Sequence, residues 1–575
     1  MLWTNYPRRV GVPRSFEPND DLTAVGPAGQ VAHRDQVEHL ARLNRRFWAV
    51  GPDCWSLVGN GLSNQTFVRG PEGIVAIDTG ESVEEMRSAI AELRAVTDEP
   101  IVAVLYTHFH YVGGTKAVFA DAGCEVPVYG HAKIDHNRVR TAAEIGPAYN
   151  RGLVEQFGIV LPTSGEDGLL SVGLGHSFRD ERHAPHTYGY VRPTHTFDGA
   201  TVLHVAGLRI EVTLAPSDAD DSVTYWFPSL RLAVQNLVWP VLFNVFAIRG
   251  EEYRDPRVLL AGIDHLRSLG AEHMVGAHGP PLSGADDIAR RTTRYRDSIQ
   301  FLWDQTVRWA NKGATSAELA HRVVLPDQYG DDYLTQQLYG VVEHHTRQIR
   351  TGLFGFFDGD PQHLFPLEPR DRAERMVAAM GGRDRVAQFI GEVDNVRWAL
   401  ELAGLLHAAE PDDADGRRLL AGALRTIARR TTSANIRNWC LTQVHELEGS
   451  LDLSRFRQHR FARRSLDGMA PADLVAVLRV LVDPDLLGTL DVHVRVEFDG
   501  VVAAGLHFRN GIACPTDGVG ATATLRTTRT TWSSVLAGAN RLEDLAASGD
   551  VTVEGDVSSA MDAFASLDHP GFVRQ

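Results

Sequence analysis

The sequence predicts an α/β domain, then an all-α segment, then a smaller α+β segment. Three observations carry that expectation. From Trp48 to about Gly284, short β-type runs alternate with helical stretches, the pattern of strands and helices sharing one core. From about 285 to 450, apolar residues recur at helical spacing almost without a break. Beyond about 451, period-two alternation returns. At 575 residues the chain exceeds what one hydrophobic core supports, so roughly two to four domains are expected.

Residues 1–45 are polar and rich in Pro, Arg and Asp, and read as an N-terminal extension wrapping a neighbouring surface. Residues 67–69 and 73–78 form a hairpin joined by Gly70-Pro71-Glu72. Ser82 and Glu85 then make an S-x-x-E capping box that opens a helix through Val96. The apolar run 100–105, bounded by turn residues, reads as a buried strand. Residues 370–380, 383–407 and 414–430 read as helices. Their Leu- and Ala-rich faces are expected to bury against one another rather than hold a cofactor. Residues 471–481 are helical, and 490–498 alternate as a half-buried strand ending in the hairpin turn Asp499-Gly500.

Composition narrows the function. A formal net charge of −16 argues against nucleic acid or an anionic membrane as the main partner. No window approaches the roughly 18 apolar residues of a membrane span. Residues 1–9 lack the apolar core of a secretory signal. Cys54, Cys124, Cys440 and Cys514 are too dispersed for a disulfide framework or a thiolate zinc site. A reduced, cytoplasmic setting fits that usage.

The chemistry centres on Tyr106-Thr107-His108-Phe109-His110-Tyr111-Val112-Gly113-Gly114, directly after the strand at 100–105. Two histidines at i and i+2 past a strand end can aim two imidazoles at one ion if the backbone bends there. This strand-T-H-x-H-x-x-G-G arrangement resembles the metallo-β-lactamase superfamily, whose motif reads T-H-x-H-x-D-H-x-G-G. Further stretches resemble its alkylsulfatase branch. They include Gly59-Asn60-Gly61-Leu62-Ser63-Asn64, Ile77-Asp78-Thr79-Gly80, Phe357-Asp358-Gly359-Asp360-Pro361, Phe508-Arg509-Asn510-Gly511 and Glu554-Gly555-Asp556.

The resemblance implies an αββα sandwich over 46–285, a helical dimerisation domain over 286–450 and a sterol-carrier-like domain over 451–575. It implies a homodimer acting on a small-molecule substrate. It also implies site residues, taken one at a time. His108 and His110 match the first-metal histidines, and Asp218 falls on that metal's Glu position, with Asp221 as the alternative ligand. His278 in Gly276-Ala277-His278-Gly279 matches the second-metal histidine. The Asp-His pair feeding that second metal is missing, and Gln235 falls on the bridging Glu. Losing three anionic or imidazole donors leaves too little charge for a second hard ion, so the usual dinuclear zinc centre is not expected. Asn244 and Arg249 match residues near the family's sulfate. Arg249 reads either as a bidentate oxyanion clamp or as a salt bridge beneath the site. Residues 237–243, including Trp239, replace a polar segment with an apolar one and point to a less charged substrate.

Two imidazoles and one carboxylate leave coordination positions open. With zinc such a set activates water, and with Fe(II) it suits oxygen chemistry. His278 reads as a fourth ligand or a general acid or base, and Tyr111 as a proton donor or a space-filler. The expected activity is a divergent alkylsulfatase-like hydrolase or lyase holding one transition-metal ion, Zn or Fe. Two alternatives accompany it: an iron or haem redox catalyst using an enlarged apolar cavity, and a non-catalytic dimeric carrier of apolar ligands.

Overall fold

The computed structural model describes residues 15–573 except 143, 464, 465 and 467. The N-terminal nine residues read above for a signal lie outside this set. Two compact units emerge. One comprises residues up to Ile134 together with Leu153–Leu451, and the other Asp135–Gly152 together with residues from Asp452 onward.

The first unit holds two facing sheets. One has seven strands in chain order: Arg46–Ala49, Cys54–Val58, Gln65–Gly70, Gly73–Ile77, Ile101–Leu105, Val128–His131 and His195–Phe197. The first four are antiparallel, and pairing becomes parallel from Gly73–Ile77 onward. The second has six strands, of which Leu232–Gln235 and His273–Gly276 are a parallel pair. Val68, Val75, Ile77, Ala103 and Leu105 of one sheet share a core with Ile210, Val212, Val223, Tyr225, Phe227 and Val234 of the other. Helices Val83–Arg94 and Thr115–Ala122 cover the outer face of the first sheet through Met86, Ile90, Leu93 and Val118. Pro256–Ser268 and Ala285–Ala310 contribute Ile263, Tyr295 and Leu302 to the core that also takes Leu237 and Leu242. Helices Ala285–Ala310 and Val342–Phe354 therefore share a core with the sandwich, whereas the helices from Pro369 to Leu447 pack around clusters of their own.

Local expectations met specific physics. The hairpin Gln65–Gly70 and Gly73–Ile77 turns over Pro71-Glu72. Ser82 caps its helix by accepting from the Glu85 N–H at 3.1 Å. Glu85 does not return to the cap: its carboxylate accepts from the Glu81 N–H at 3.1 Å and the Gln65 amide at 2.8 Å. The expected helix 383–407 is two helices, Arg383–Glu392 and Val396–Ala409, because Asn395 caps the second by accepting from the N–H groups of Arg397 and Trp398. The expected helix 471–481 tightens to a 3-10 turn at Val477–Leu481. Within the N-terminal extension, Ser15 accepts from Thr431 through its backbone carbonyl, and helix Arg34–Leu43 donates from Gln36 to the Thr431 carbonyl.

The second unit has a five-stranded sheet in the order Ile512–Thr516, Val501–Arg509, Val492–Phe498, Ala523–Thr527, Thr552–Gly555. Val492, Val494, Val496 and Phe498 alternate inward onto Trp532 and Phe564, and Asp499-Gly500 turns with positive φ at both positions. Among the described residues no helix is long and apolar enough to cross a membrane.

Glu85 gives a pH prediction. Burial pushes its carboxyl up to about 7 from 4.5, so the folded state binds more protons than the unfolded state between those values. Stability contributed by this group is full below about 4.5 and is lost as pH rises through about 7. Urea unfolding across this window should show wild type losing stability relative to Glu85→Gln as pH rises. A constant difference between the two proteins would mean Glu85 does not titrate there.

Candidate metal centre

The site gathers at the carboxyl ends of parallel strands, where chain leaves both sheets. Gly73–Ile77 ends at Asp78, Ile101–Leu105 leads to His108, Leu232–Gln235 to Asn236, and His273–Gly276 to His278. Asp78 adopts a positive φ of 56° and accepts from Thr107 twice, from its N–H at 2.8 Å and its hydroxyl at 2.6 Å. The Thr107 hydroxyl also lies 2.9 Å from His108 Nδ1. With that hydroxyl donating to the Asp78 carboxylate, its oxygen accepts the His108 Nδ1–H, which leaves Nε2 with its lone pair exposed. Burial pushes Asp78 up to about 7, against those Thr107 hydrogen bonds.

The backbone then makes a 3-10 turn at Phe109–Tyr111 that brings His110 round to His108, with ring centroids 5.0 Å apart. Glycine is required at the end of this turn. A Cβ on Gly113 would stand 2.3 Å from the Glu81 carbonyl oxygen, and one on Gly114 2.1 Å from that of Thr79.

Asp218 reaches in from the loop between strands Leu208–Leu214 and Val223–Phe227. Its Oδ2 is 3.2 Å from His110 Nδ1 and its Oδ1 3.9 Å from His108 Nε2. Among the described residues, His108, His110 and Asp218 are the one group of three such donors whose ligand atoms lie within 4.8 Å of one another. Asp221, the alternative ligand, is buried outside this group. Burial drives His108 down to about 3, so it is a neutral imidazole. Burial pushes Asp218 up, but His108, His110 and Arg254 outweigh it and hold the carboxyl well below its usual range. A neutral imidazole at His108 and an ionised carboxylate at Asp218 are the protonation states that metal ligation needs.

Asn236, which sequence reasoning passed over, orients the carboxylate. Its amide N–H donates to Asp218 Oδ1 at 2.7 Å, and its carbonyl accepts from the Trp239 indole at 3.0 Å. The only signal for it was its place beside Gln235.

Tyr111 stands between His108 and His278. Its ring meets those of His108 and His278 edge-on, at 5.1 and 5.3 Å. His278 Nδ1 lies 2.9 Å from the Leu62 carbonyl, so that nitrogen carries the proton and Nε2 accepts from the Tyr111 hydroxyl at 3.3 Å. His278 is thereby engaged by Tyr111 and stands apart from the three-donor group. Gln235 lines no substrate surface: its carbonyl accepts from the N–H groups of Leu237 and Val238, and its amide donates to the Val238 carbonyl.

The apolar segment also departs from expectation. Leu237, Val238, Val241, Leu242 and Phe243 are buried in the core shared with the helices, where they were expected to line an enlarged cavity. The void between Gln235, Trp239, Met274 and His278 is about 10 Å³, room for about one water. That void is too small for a haem. Asn244 is likewise buried, with Oδ1 3.2 Å from His345 Nε2. Arg249 pairs with Glu251 at 2.9 Å.

Residues 58–232 match the Metallo-beta-lactamase superfamily, 315–450 match Alkyl sulfatase dimerisation, and 462–572 match Alkyl sulfatase C-terminal. A linear primary-alkylsulfatase from Pseudomonas sp. (strain ATCC 19151) is 34% identical over 528 residues, spanning 88% of this chain and 99% of the relative. The chain belongs to the alkylsulfatase family of the metallo-β-lactamase superfamily. An (R)-specific secondary-alkylsulfatase from Pseudomonas sp. is 27% identical over 585 residues, covering 97% of this chain and 85% of the relative. The solved stereoselective inverting sec-alkylsulfatase Pisa1 from Pseudomonas sp. shares the fold, with a TM-score of 0.81 at 24% identity over 97% of this chain and 92% of its own. The family's αββα sandwich, helical domain and C-terminal domain are thus all present. Membership implies metal binding, and the three-donor group fits one ion.

Replacing a ligand and replacing its support should differ in degree. His108→Ala should lose metal on dialysis, whereas Asn236→Ala should weaken affinity by about 10–100-fold, both measured by competition with a chromogenic chelator. Wild-type affinity in His108→Ala would show that the ion sits elsewhere.

Proposed function

We propose that this alkylsulfatase relative is a single-metal hydrolase acting on an ester with an apolar chain and a head group less charged than a sulfate. The observation that carries this reading is Tyr111. Its hydroxyl holds His278 Nε2, the nitrogen that the family resemblance would give to a second ion, while His108, His110 and Asp218 stay assembled. His108, His110 and Asp218 would hold the ion, which when bound supplies Lewis-acid activation of water or of the ester.

The remaining chemistry belongs to the chain. His278 is driven down to about 4 by burial, so it is a neutral base able to take a proton at Nε2. Burial raises the Tyr111 phenol well above its usual range, so it stays protonated; its O–H, which rests on His278 Nε2, must turn to a developing negative oxygen and so frees Nε2 for the water proton. In hydrolysis, water gives its hydroxyl to the electrophilic centre as the ester bond breaks. The water proton, held at His278, then passes to the leaving alkoxide. The dimer belongs to the same reading. Phe356 and Phe365, 84% and 93% exposed, lie within the stretch matching Alkyl sulfatase dimerisation, and we place the partner copy on that face.

Elemental analysis should find close to one metal per chain, and a p-nitrophenyl ester of a medium-chain acid should be cleaved faster than a medium-chain alkyl sulfate. Two metals per chain with a preference for the sulfate would overturn the reading. Tyr111→Phe should retain the metal and lose about 10²–10³-fold in kcat. Phe365→Asp should move the protein from dimer to monomer in light scattering, and an unchanged mass would place the interface elsewhere.

A further inference from the structure

Two buried or nearly buried arginines act on the metal-centre residues, Arg254 on Asp218 and Arg249 on Tyr111, and Arg249 is paired with Glu251. Arg249 Nη2 meets Glu251 Oε2 at 2.9 Å, with both side chains nearly buried at 7% and 5% exposure. The Arg249 N–H donates to Gln156 Oε1 at 3.2 Å, and the Gln156 amide donates to the Tyr339 hydroxyl at 3.1 Å, which fixes the arginine's origin. Arg254 is anchored through Nη1 on the Asn244 carbonyl at 2.6 Å and lies 5.9 Å from the Trp239 ring.

These groups share one electrostatic neighbourhood with the candidate ligands. Burial pushes Glu251 up, but Arg249, Arg254 and His110 outweigh it and keep the carboxyl below its usual range. Arg254 also acts on Asp218, and Arg249 on Tyr111. Arg249 and Arg254 thus act on the carboxylates Asp218 and Glu251 before any ligand arrives.

A guanidinium recognises a planar carboxylate or a tetrahedral oxyanion with the same fork of N–H donors. An anion already in that fork excludes a second one by repulsion that is strong where water is scarce. We propose that Glu251 is a specificity-determining residue: its carboxylate occupies the Arg249 fork as an internal counter-anion, so the site turns away substrates with a sulfate head group and admits neutral ones. Had Arg249 stood without this carboxylate, the same wall would attract a sulfate. The inference rests on the single-metal hydrolase reading for its choice of substrate, but the occupied fork is a matter of side-chain geometry alone.

The test is equilibrium binding of inorganic sulfate by isothermal titration calorimetry, with metal content measured on the same samples. Glu251→Gln should bind sulfate about tenfold or more tightly than wild type, whereas Glu251→Asp, which keeps the charge, should show no such gain. If Glu251→Gln does not fold, Glu251→Ala carries the same comparison. The ratio of kcat/KM for alkyl sulfate over p-nitrophenyl ester should rise in the variant that gains sulfate affinity. A folded, metal-loaded variant without the carboxylate that gains no sulfate affinity would overturn the proposal and leave the single-metal reading intact. A wild type without metal would remove that reading, while a sulfate gain in Glu251→Gln would still establish Glu251 as the resident anion.

Discussion

Asp78 accepts two hydrogen bonds from Thr107 across the ends of two parallel strands, one from the backbone and one from the hydroxyl. These bonds decide where the next residue points. They hold the chain extended at His108, fix which imidazole nitrogen carries the proton, and set the origin of the turn that brings His110 round. The same corner is closed from the other side by the Thr79 N–H donating to the Tyr111 carbonyl and the Gly113 N–H donating to that of Gly80. Burying a carboxylate without a paired cation is costly, and the raised Asp78 shows that cost being borne. The return is a histidine whose lone pair is aimed before any ion arrives.

Charge accounts for the shape of the rest. Two carboxylates around this corner, Asp218 and Glu251, are held low by the histidines and by Arg249 and Arg254. Beside the three donors the chain places a phenol, Tyr111, between His108 and His278. Tyr111 brings an apolar ring that packs edge-on against two imidazoles and one hydroxyl that satisfies His278.

Much of this was legible in the sequence, and what escaped did so for identifiable reasons. The strand at 100–105 and the T-H-x-H turn could be read because periodicity and spacing are local. The merger of the sandwich with helix Ala285–Ala310 could not, because it depends on Leu237 and Leu242 meeting Tyr295 and Leu302 in one core. The split at Asn395 was hidden because the apolar spacing of 383–407 survives the cap. Asn236 and Glu251 left no motif, since their work is to hold other side chains. The apolar run 237–243 was read as a pocket wall because hydrophobicity does not say which surface a segment meets.

Gln235 and the apolar run turn out to be one change rather than two. The Gln235 carbonyl receives the Leu237 and Val238 N–H groups while its amide feeds the Val238 carbonyl, and this turn sends the run into the core. A glutamate there would keep the first two bonds but set an anionic oxygen against the Val238 carbonyl in a buried place, a repulsive contact in low dielectric. The turn also delivers Trp239, whose indole holds Asn236, which in turn holds Asp218. The neutral amide that cannot bridge two metals thus begins the chain of contacts that steadies the carboxylate of the remaining donor group. A decaying site has no reason to keep such a chain satisfied from end to end, and that continuity is the argument for a centre rebuilt around fewer charges.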